Sequence, residues 1–555
     1  MPDKYYLTTP LYYVNARPHI GHSYTEIAAD TLARFNRLVG KEVLFLTGTD
    51  EHGQKIDKAA QAAGLPPQEF TDKISQTFRD LWKTLNIEYD DFIRTTEPRH
   101  VKAVQAVWND LSKRGEIYKD TYTGFYCTPD ESFFTDRQVL TENGQTVCPD
   151  CKRPVDKIEE ENFFLKISEY QTWLIDTVKG NLMRVLPETR KNEVLGFLEN
   201  NVLQDLCISR PKNRLAWGIQ SPLSETHVTY VWFDALINYI TACGYGADEK
   251  KFKKWWPADV HIIGKDILRQ HAIYWPIILH ALGVEVPKMI FAHGWWVQGG
   301  EKMSKSRGNV VDPVEIVKTY GVDPYRYFLL SEAPFGQDGT FSEEALIERY
   351  NTALANDLGN LLHRSLTMCE KYFGGNIPQG DIFEPYRLPH KQGEGIEESS
   401  IRQMKEDHVR REIPVGRAQD LMRKVDGFKG KLTPLLDRLA FSEALDEIWI
   451  VVNIANKFIE ESTPWKLSKE GKEEDLKLVI RTLMEVLKAT AQAVWPFIPT
   501  TGEAVWRQLG ITKPITEEVF KENMWGYFEK GGKIQKGAPL FPRIEIEKEG
   551  SKEKK

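Results

Sequence analysis

The chain has 555 residues, of which 41% are hydrophobic and 28% charged, and a formal net charge of −7. That length exceeds what one hydrophobic core serves, so about two to four domains are expected. The composition excludes a disordered or collagen-like chain, no apolar run is long enough to span a bilayer, and the net acidity leaves only local basic surface for nucleic acid.

The start, Met1-Pro2-Asp3-Lys4-Tyr5, carries no basic-then-apolar export pattern, so a cytoplasmic chain with reduced thiols is expected. Lys4-Tyr5-Tyr6-Leu7-Thr8-Thr9 reads as a strand. Then Pro18-His19-Ile20-Gly21-His22 sets two imidazoles around a glycine where strand gives way to helix. Ile27, Ala28, Thr31, Phe35 and Val39 keep near-helical spacing, and Gly40 marks the stop. A helix N-terminus offers N–H groups and a positive dipole end, which suits phosphate, and Gly21 lets a bulky group lie against the backbone. Imidazoles there can bond phosphate oxygens as charge moves, with no covalent nucleophile. Taken alone, the pair also reads as a metal half-site or as ordinary polar residues.

Val43-Leu44-Phe45-Leu46-Thr47-Gly48 reads as a buried strand running into Gly48-Thr49-Asp50-Glu51-His52-Gly53, and Tyr89-Asp90-Asp91-Phe92-Ile93-Arg94 as another. Alternation of strand and helix over 1–115 predicts a parallel sheet covered by helices, with ligands at the carboxyl ends of its strands. The histidine element and the Asp50 turn then share one crevice. Residues 116–226 break the rhythm and hold three of the six cysteines, Cys127, Cys148 and Cys151. Cys148-Pro149-Asp150-Cys151 is a Cys-x-x-Cys knuckle, readable as a structural zinc site, a redox pair, a three-cysteine site completed by water, or no metal.

Strand–helix alternation returns with Thr229-Tyr230-Val231-Trp232-Phe233-Asp234 followed by Ala235-Leu236-Ile237-Asn238-Tyr239, with a strand and turn at Val260–Asp266, and with a strand at Lys288–Gly294. Lys302-Met303-Ser304-Lys305-Ser306-Arg307-Gly308-Asn309 makes a basic, phosphate-seeking loop, which by itself also reads as a solvated turn. From about 340 the strand signals fade. Leu354, Leu358, Leu361 and Leu362 mark one helical face. Leu445, Ile448, Trp449, Val452 and Ile459 mark a second, and Leu476, Val479, Ile480, Leu483, Val486 and Leu487 a third, so a helix bundle is expected. Segment 388–412 reads as a linker or exposed helix, and Gly550–Lys555 as a disordered tail.

The histidine element and the lysine loop, in this order, resemble the paired signatures of class I aminoacyl-tRNA synthetases. Leu11 and Tyr13, Gly48-Thr49-Asp50-Glu51-His52-Gly53, Val231-Trp232-Phe233-Asp234-Ala235 and Gly264-Lys265-Asp266-Ile267 extend the likeness. From about residue 4 to about 547 the chain is similar to the methionyl-tRNA synthetase family. That resemblance implies an α/β fold: a Rossmann-like parallel-sheet catalytic domain (1–115 and 227–320) split by a zinc-knuckle insertion (116–226). A stem-contact region (321–350), an α-helical anticodon-binding bundle (351–547) and the tail (548–555) follow. It implies a methionine–tRNA ligase that uses ATP with Mg2+ and charges tRNA(Met), the initiator form included.

Site residues follow from the same resemblance. His19, Gly21 and His22 meet the triphosphate, with Lys302 and Lys305 on the pyrophosphate side. Gly264 and Asp266 hold the ribose, and adenine lies near Trp296 and Val297. Asp50 takes the methionine ammonium, and Leu11, Tyr13, Trp232, Ala235, Leu236, Tyr239, Ile267 and His271 line the side-chain box, whose apolar members also read as plain core. Two positions depart from the family pattern: Leu236 often is proline there, and Gln270 often is aromatic. The family's second zinc cysteine is replaced by Asp130, so Cys127, Asp130, Cys148 and Cys151 form the implied Zn2+ site. Asn360, Arg364 and Trp465 match anticodon readers, although a bundle tryptophan also reads as core. Synthetases for leucine, isoleucine and valine usually carry a larger editing insertion, and one for cysteine would place thiolates at the amino-acid pocket, yet no cysteine precedes Cys127. A small-molecule nucleotidyltransferase would not need the bundle, and the intact motifs argue against an inactive tRNA binder. Only a short polar tail follows Pro539-Leu540-Phe541-Pro542-Arg543, so a monomer is expected.

Overall fold

Apolar, β-branched and aromatic runs that are buried on both faces form parallel strands. In the computed structural model, Lys4–Thr8 is such a run: Tyr6 and Leu7 are fully buried. The structure describes residues 3–127, 132–134, 136, 138–142, 144–149, 151–298, 301–302, 311–383 and 414–545. The expected linker at 388–412, the tail, Asp130 and Lys305 lie outside the described residues. The described residues fall into two compact units. One holds 3–33, 41–295 and 311–314; the other holds 34–40, 296–302 and 315–545.

The first unit is built on a seven-stranded sheet whose pairings are all parallel. Its order is Arg184–Leu186, Met289–His293, Val260–Gly264, Lys4–Thr8 and Glu42–Asp50. Tyr12–Tyr13 and Asp91–Arg94 both pair with the upper end of Glu42–Asp50. Tyr6, Leu44, Leu46, Ile263 and Ile290 share one core with Val104, Val107 and Trp108 of the helix Pro98–Lys113 and Ile277 and Ile278 of Trp275–Ala281. The expected parallel sheet is therefore present, with one addition. Arg184–Leu186 falls inside the span read as the insertion, yet it pairs with Met289–Phe291 as an edge strand of the main sheet. Three residues are too few to show a strand period, so only the pairing reveals it.

The rest of the insertion is antiparallel. Ile117–Cys127 pairs with Asp156–Leu165 over ten consecutive residues, Ile117 to Tyr126, and Ser132–Phe134 and Leu206–Cys207 complete that sheet. A second departure concerns Thr229–Asp234. The strand there is only His227–Thr229, and Val231–Leu236 is a helix, because the buried apolar run continues around a helical turn rather than alternating.

The second unit is mostly helical beyond Pro313. Tyr350–Gly359 is π-helical and continues into Asn360–Phe373, while Phe441–Ser462 and Glu473–Val494 are the long members. The three expected apolar faces are buried as read, with Leu354, Leu358, Leu361, Val452, Ile459, Val479 and Leu483 all fully enclosed. No helix among the described residues is long and apolar enough to cross a membrane.

Candidate active site

The helix Ile20–Leu38 follows the strands Lys4–Thr8 and Tyr12–Tyr13, and Gly21 and His22 lie in its opening turn with His19 immediately before it. His22 Nδ1 accepts the His19 backbone N–H at 3.0 Å, and His19 Nδ1 accepts that of Gly21 at 3.1 Å. A neutral imidazole with an accepting Nδ1 carries its proton on Nε2, so both rings present an Nε2–H donor. The rings lie 4.0 Å apart, and Tyr12 and Phe78 meet His22 edge-on at 5.0 and 5.4 Å. A Cβ on Gly21 would sit 3.0 Å from His19 Cε1, so any other residue would displace that ring. Behind the pair, the buried Glu26 accepts from the hydroxyls of Thr9, at 2.9 Å, and of Thr47. Burial outweighs these bonds and pushes its carboxyl up to about 7.

Asp50 ends the strand Glu42–Asp50 and is 3% exposed. Tyr13 pairs with it in register, and the Tyr13 hydroxyl donates to the His52 carbonyl at 2.9 Å. Trp217 Nε1 donates to the Glu51 carbonyl at 2.6 Å, so the turn is held from two sides. Leu11 lies over Gly48, where a Cβ would come within 2.9 Å of its Cδ2. Trp232, Ala235 and Leu236 share the helix Val231–Leu236, with Trp232 half-buried and the other two buried. Tyr239 donates its hydroxyl to His271 Nε2 at 2.7 Å, and His271 Nδ1–H donates to the Ile267 carbonyl at 2.9 Å. Burial lowers the His271 pKa to about 4, so this wall is uncharged at neutral pH. Gln270 opens a π-helical turn, Gln270–Tyr274, and its Oε1 is buried without a hydrogen-bond partner among the described residues.

Gly264 ends the strand Val260–Gly264, and a Cβ there would lie 2.6 Å from Asp266 Oδ1. Glycine thus lets the Asp266 carboxylate fold back over the strand end, where Trp295 Nε1 donates to it at 3.1 Å. Trp296 and Val297 belong to the second unit. Trp296 is buried there against Phe328 at 5.4 Å, and Val297 pairs with Lys302 in a short hairpin.

Two features escape a reading of the sequence. His293 Nδ1–H donates to the Gly294 carbonyl and its Nε2 accepts from Thr25, each at 2.7 Å, which ties a strand end to the histidine helix. Asp234 bridges His52 and His100, each at 2.7 Å. No local spacing signals either, since the partners lie far apart in the chain.

Residues 5–366 match a family described as tRNA synthetases class I (M), and residues 418–536 match the anticodon-binding domain of tRNA ligase. Methionine–tRNA ligase of Caldanaerobacter subterraneus is 47% identical over all of this chain and 81% of its own length. That of Thermotoga maritima is 43% identical over 98% of this chain and 80% of its own. The chain belongs to the methionine–tRNA ligase family. Mycobacterium tuberculosis methionyl-tRNA synthetase in complex with methionyl-adenylate superposes with a TM-score of 0.87 at 38% identity, over 98% of this chain and 100% of that one.

Methionine–tRNA ligases are thus the frame for the remaining elements. Cys127 ends a strand, and Cys148 and Cys151 flank a knuckle in which Cys148 N–H donates to the Arg153 carbonyl at 2.8 Å. The three sulfurs lie within 4.8 Å of one another, with Cys127 and Cys151 3.5 Å apart and no disulfide between them. Zinc–sulfur bonds of about 2.3 Å in a tetrahedron place sulfurs about 3.8 Å apart, so the three thiols fit that metal. Among the described residues, the core around them is Phe134 with Phe125, Val139 and Val155 at its margin, a small apolar surface for a subdomain to rest on.

In the second unit, Asn360 and Arg364 stand one turn apart on Asn360–Phe373. Arg364 donates to Glu460 at 2.6 Å, near the end of the helix that precedes Trp465. Trp465 is 43% exposed, so it is not a core residue.

Proposed function

We propose that this chain activates methionine with ATP and passes the methionyl group to tRNA(Met), the initiator form included. What supports this reading is a pair of Nε2–H imidazoles at the opening of the helix Ile20–Leu38 and a buried carboxylate, Asp50, at the end of a parallel strand, in a chain of this family. Methionine binds with its ammonium at Asp50 and its thioether among Leu11, Tyr13, Trp232, Ala235, Leu236, Tyr239, Ile267 and His271. Sulfur–aromatic contact favours such a box. The neutral Tyr239–His271 pair already satisfies its own polar atoms, which disfavours a charged or hydroxylated side chain.

ATP enters with Mg2+ as its substrate complex. A methionine carboxylate oxygen attacks the α-phosphorus, the bond to the bridging oxygen breaks, and pyrophosphate leaves with the electron pair. His19 and His22 donate to phosphate oxygens as charge builds, Lys302 and Lys305 take the leaving pyrophosphate, and Gly264 and Asp266 hold the ribose. These groups work by position and charge, with no covalent enzyme intermediate. The 2′-hydroxyl of the terminal adenosine then attacks the carbonyl, and AMP departs. Asn360, Arg364 and Trp465 read the anticodon, stacking on the exposed indole favouring an unpaired base.

Cys127, Cys148 and Cys151 hold a structural Zn2+, with Asp130 as the fourth donor, which cross-links the insertion. The protein acts as a cytoplasmic monomer. Amino-acid-dependent exchange of labelled pyrophosphate into ATP, run with each of the twenty amino acids, tests the reading. Methionine should far exceed the rest; a larger signal with leucine or cysteine would reject it.

A further inference from the structure

Asp234 sits between Trp232 and Ala235 on the short helix Val231–Leu236, and its side chain is wholly enclosed. One carboxylate oxygen accepts from His52 Nδ1 and the other from His100 Nε2, both at 2.7 Å. Burial opposes its charge, but the two imidazoles more than offset this and hold its carboxyl below the usual range. His52 stands two residues past Asp50, on the turn that Tyr13 and Trp217 also grip. His100 is fully buried on Pro98–Lys113, 3.3 Å from the Thr241 hydroxyl. One carboxylate therefore joins three elements whose residues lie 182 and 134 positions apart.

A buried polar bridge adds little net stability over well-packed apolar residues of equal volume, so stability alone does not account for it. This one joins the two walls expected to face one substrate: the Asp50 turn at the ammonium end, and the Trp232–Ala235 wall at the thioether end. Misplacement of a binding group by about 1 Å can cost about 100-fold. Loss of the bridge would remove the side-chain tie between the turn and the helix Val231–Leu236 and leave two buried ring N–H groups without this acceptor.

We propose that Asp234 is a positioning residue that fixes the Asp50 turn against the Trp232–Ala235 wall and thereby sets affinity for the amino-acid substrate. This rests on the reading of the site as a methionine pocket. The full chain is first assayed for methionine-dependent pyrophosphate exchange. No exchange in the wild type would reject that reading rather than this inference.

With exchange established, Asp234→Asn should raise the KM for methionine at least tenfold while the KM for ATP moves less than twofold. Methionine titration of tryptophan fluorescence without ATP should show the same weakening. A merely structural role predicts fewer active molecules, lower Tm and both KM values unchanged. That outcome, or a folded Asp234→Asn with methionine KM within twofold of wild type, overturns the proposal. Should Asp234→Asn not fold, His100→Leu and His100→Gln decide the matter. Glutamine can keep a donor toward Asp234 and should bind methionine more tightly than the leucine variant by at least threefold; equal KM values overturn the proposal.

Discussion

The His22 ring accepts the backbone N–H of His19 on its Nδ1, at 3.0 Å, so the local fold itself fixes which nitrogen of His22 carries the proton. Asparagine places its amide near the Nδ1 position and glutamine near the Nε2 position. If the Nε2–H donor stabilises the transition state, His22→Asn should lose about 10²–10³ in the rate of adenylate formation, and His22→Gln distinctly less. Single-turnover formation of the adenylate checks this. Equal losses in the two variants would show that the Nε2–H donor is not what matters.

Glu26 couples the fold to pH. Its folded pKa of about 7 stands above the ordinary glutamate value of 4.5, so between these values the folded state holds a proton that the unfolded chain releases. The associated stability is complete below about pH 4.5, declines as pH rises, and is gone above about pH 7, a span worth about 3 kcal/mol. Glu26→Gln should remove this part of the pH dependence. Thermal melts from about pH 5 to pH 8 should show the variant gaining on the wild type as pH rises. A constant difference between the two curves would place the Glu26 carboxyl near its ordinary range.

Gln270 opens the π-helical turn Gln270–Tyr274, and its Oε1 is buried without a partner among the described residues. An unsatisfied buried acceptor costs about 1–3 kcal/mol, so Gln270→Leu should leave stability unchanged or raise it by about 1 kcal/mol. Urea unfolding measures this. A loss above about 1 kcal/mol would mean that the amide makes a bond the fold needs.

The three thiols of the insertion should hold one zinc ion per chain by elemental analysis. Asp130→Ala should weaken retention more than Asp150→Ala, and chelation should lower the Tm, because the knuckle has little core of its own among the described residues. A metal-free preparation with full activity and an unchanged Tm would reject the site.

Trp465 is 43% exposed, and Arg364 pairs with Glu460 on the helix that precedes it. Trp465→Ala should reduce kcat/KM for tRNA charging by about 1–3 kcal/mol, the worth of one stacked base, and leave pyrophosphate exchange intact. Equal damage to both reactions would remove Trp465 from anticodon reading.

Much of this protein is legible in the chain read by itself, because local rules decide it. The parallel strands at Lys4–Thr8 and Glu42–Asp50 follow from apolar runs buried on both faces. The bundle faces follow from helical spacing, and the knuckle from the spacing of Cys148 and Cys151. The His19–Gly21–His22 element is equally local, since the hydrogen bonds to its two Nδ1 atoms close within three residues. Other features depend on contacts that no local pattern encodes. Arg184–Leu186 is a strand only because Met289–Phe291 runs beside it, and Trp232 is helical although its neighbours are strand formers. Whether Trp465 is core or surface depends on what packs around it. The Asp234 bridge lies furthest from the sequence's reach. Its three residues come from separate elements, and a carboxylate is stable in that interior only where the packed fold brings two imidazole donors to its oxygens.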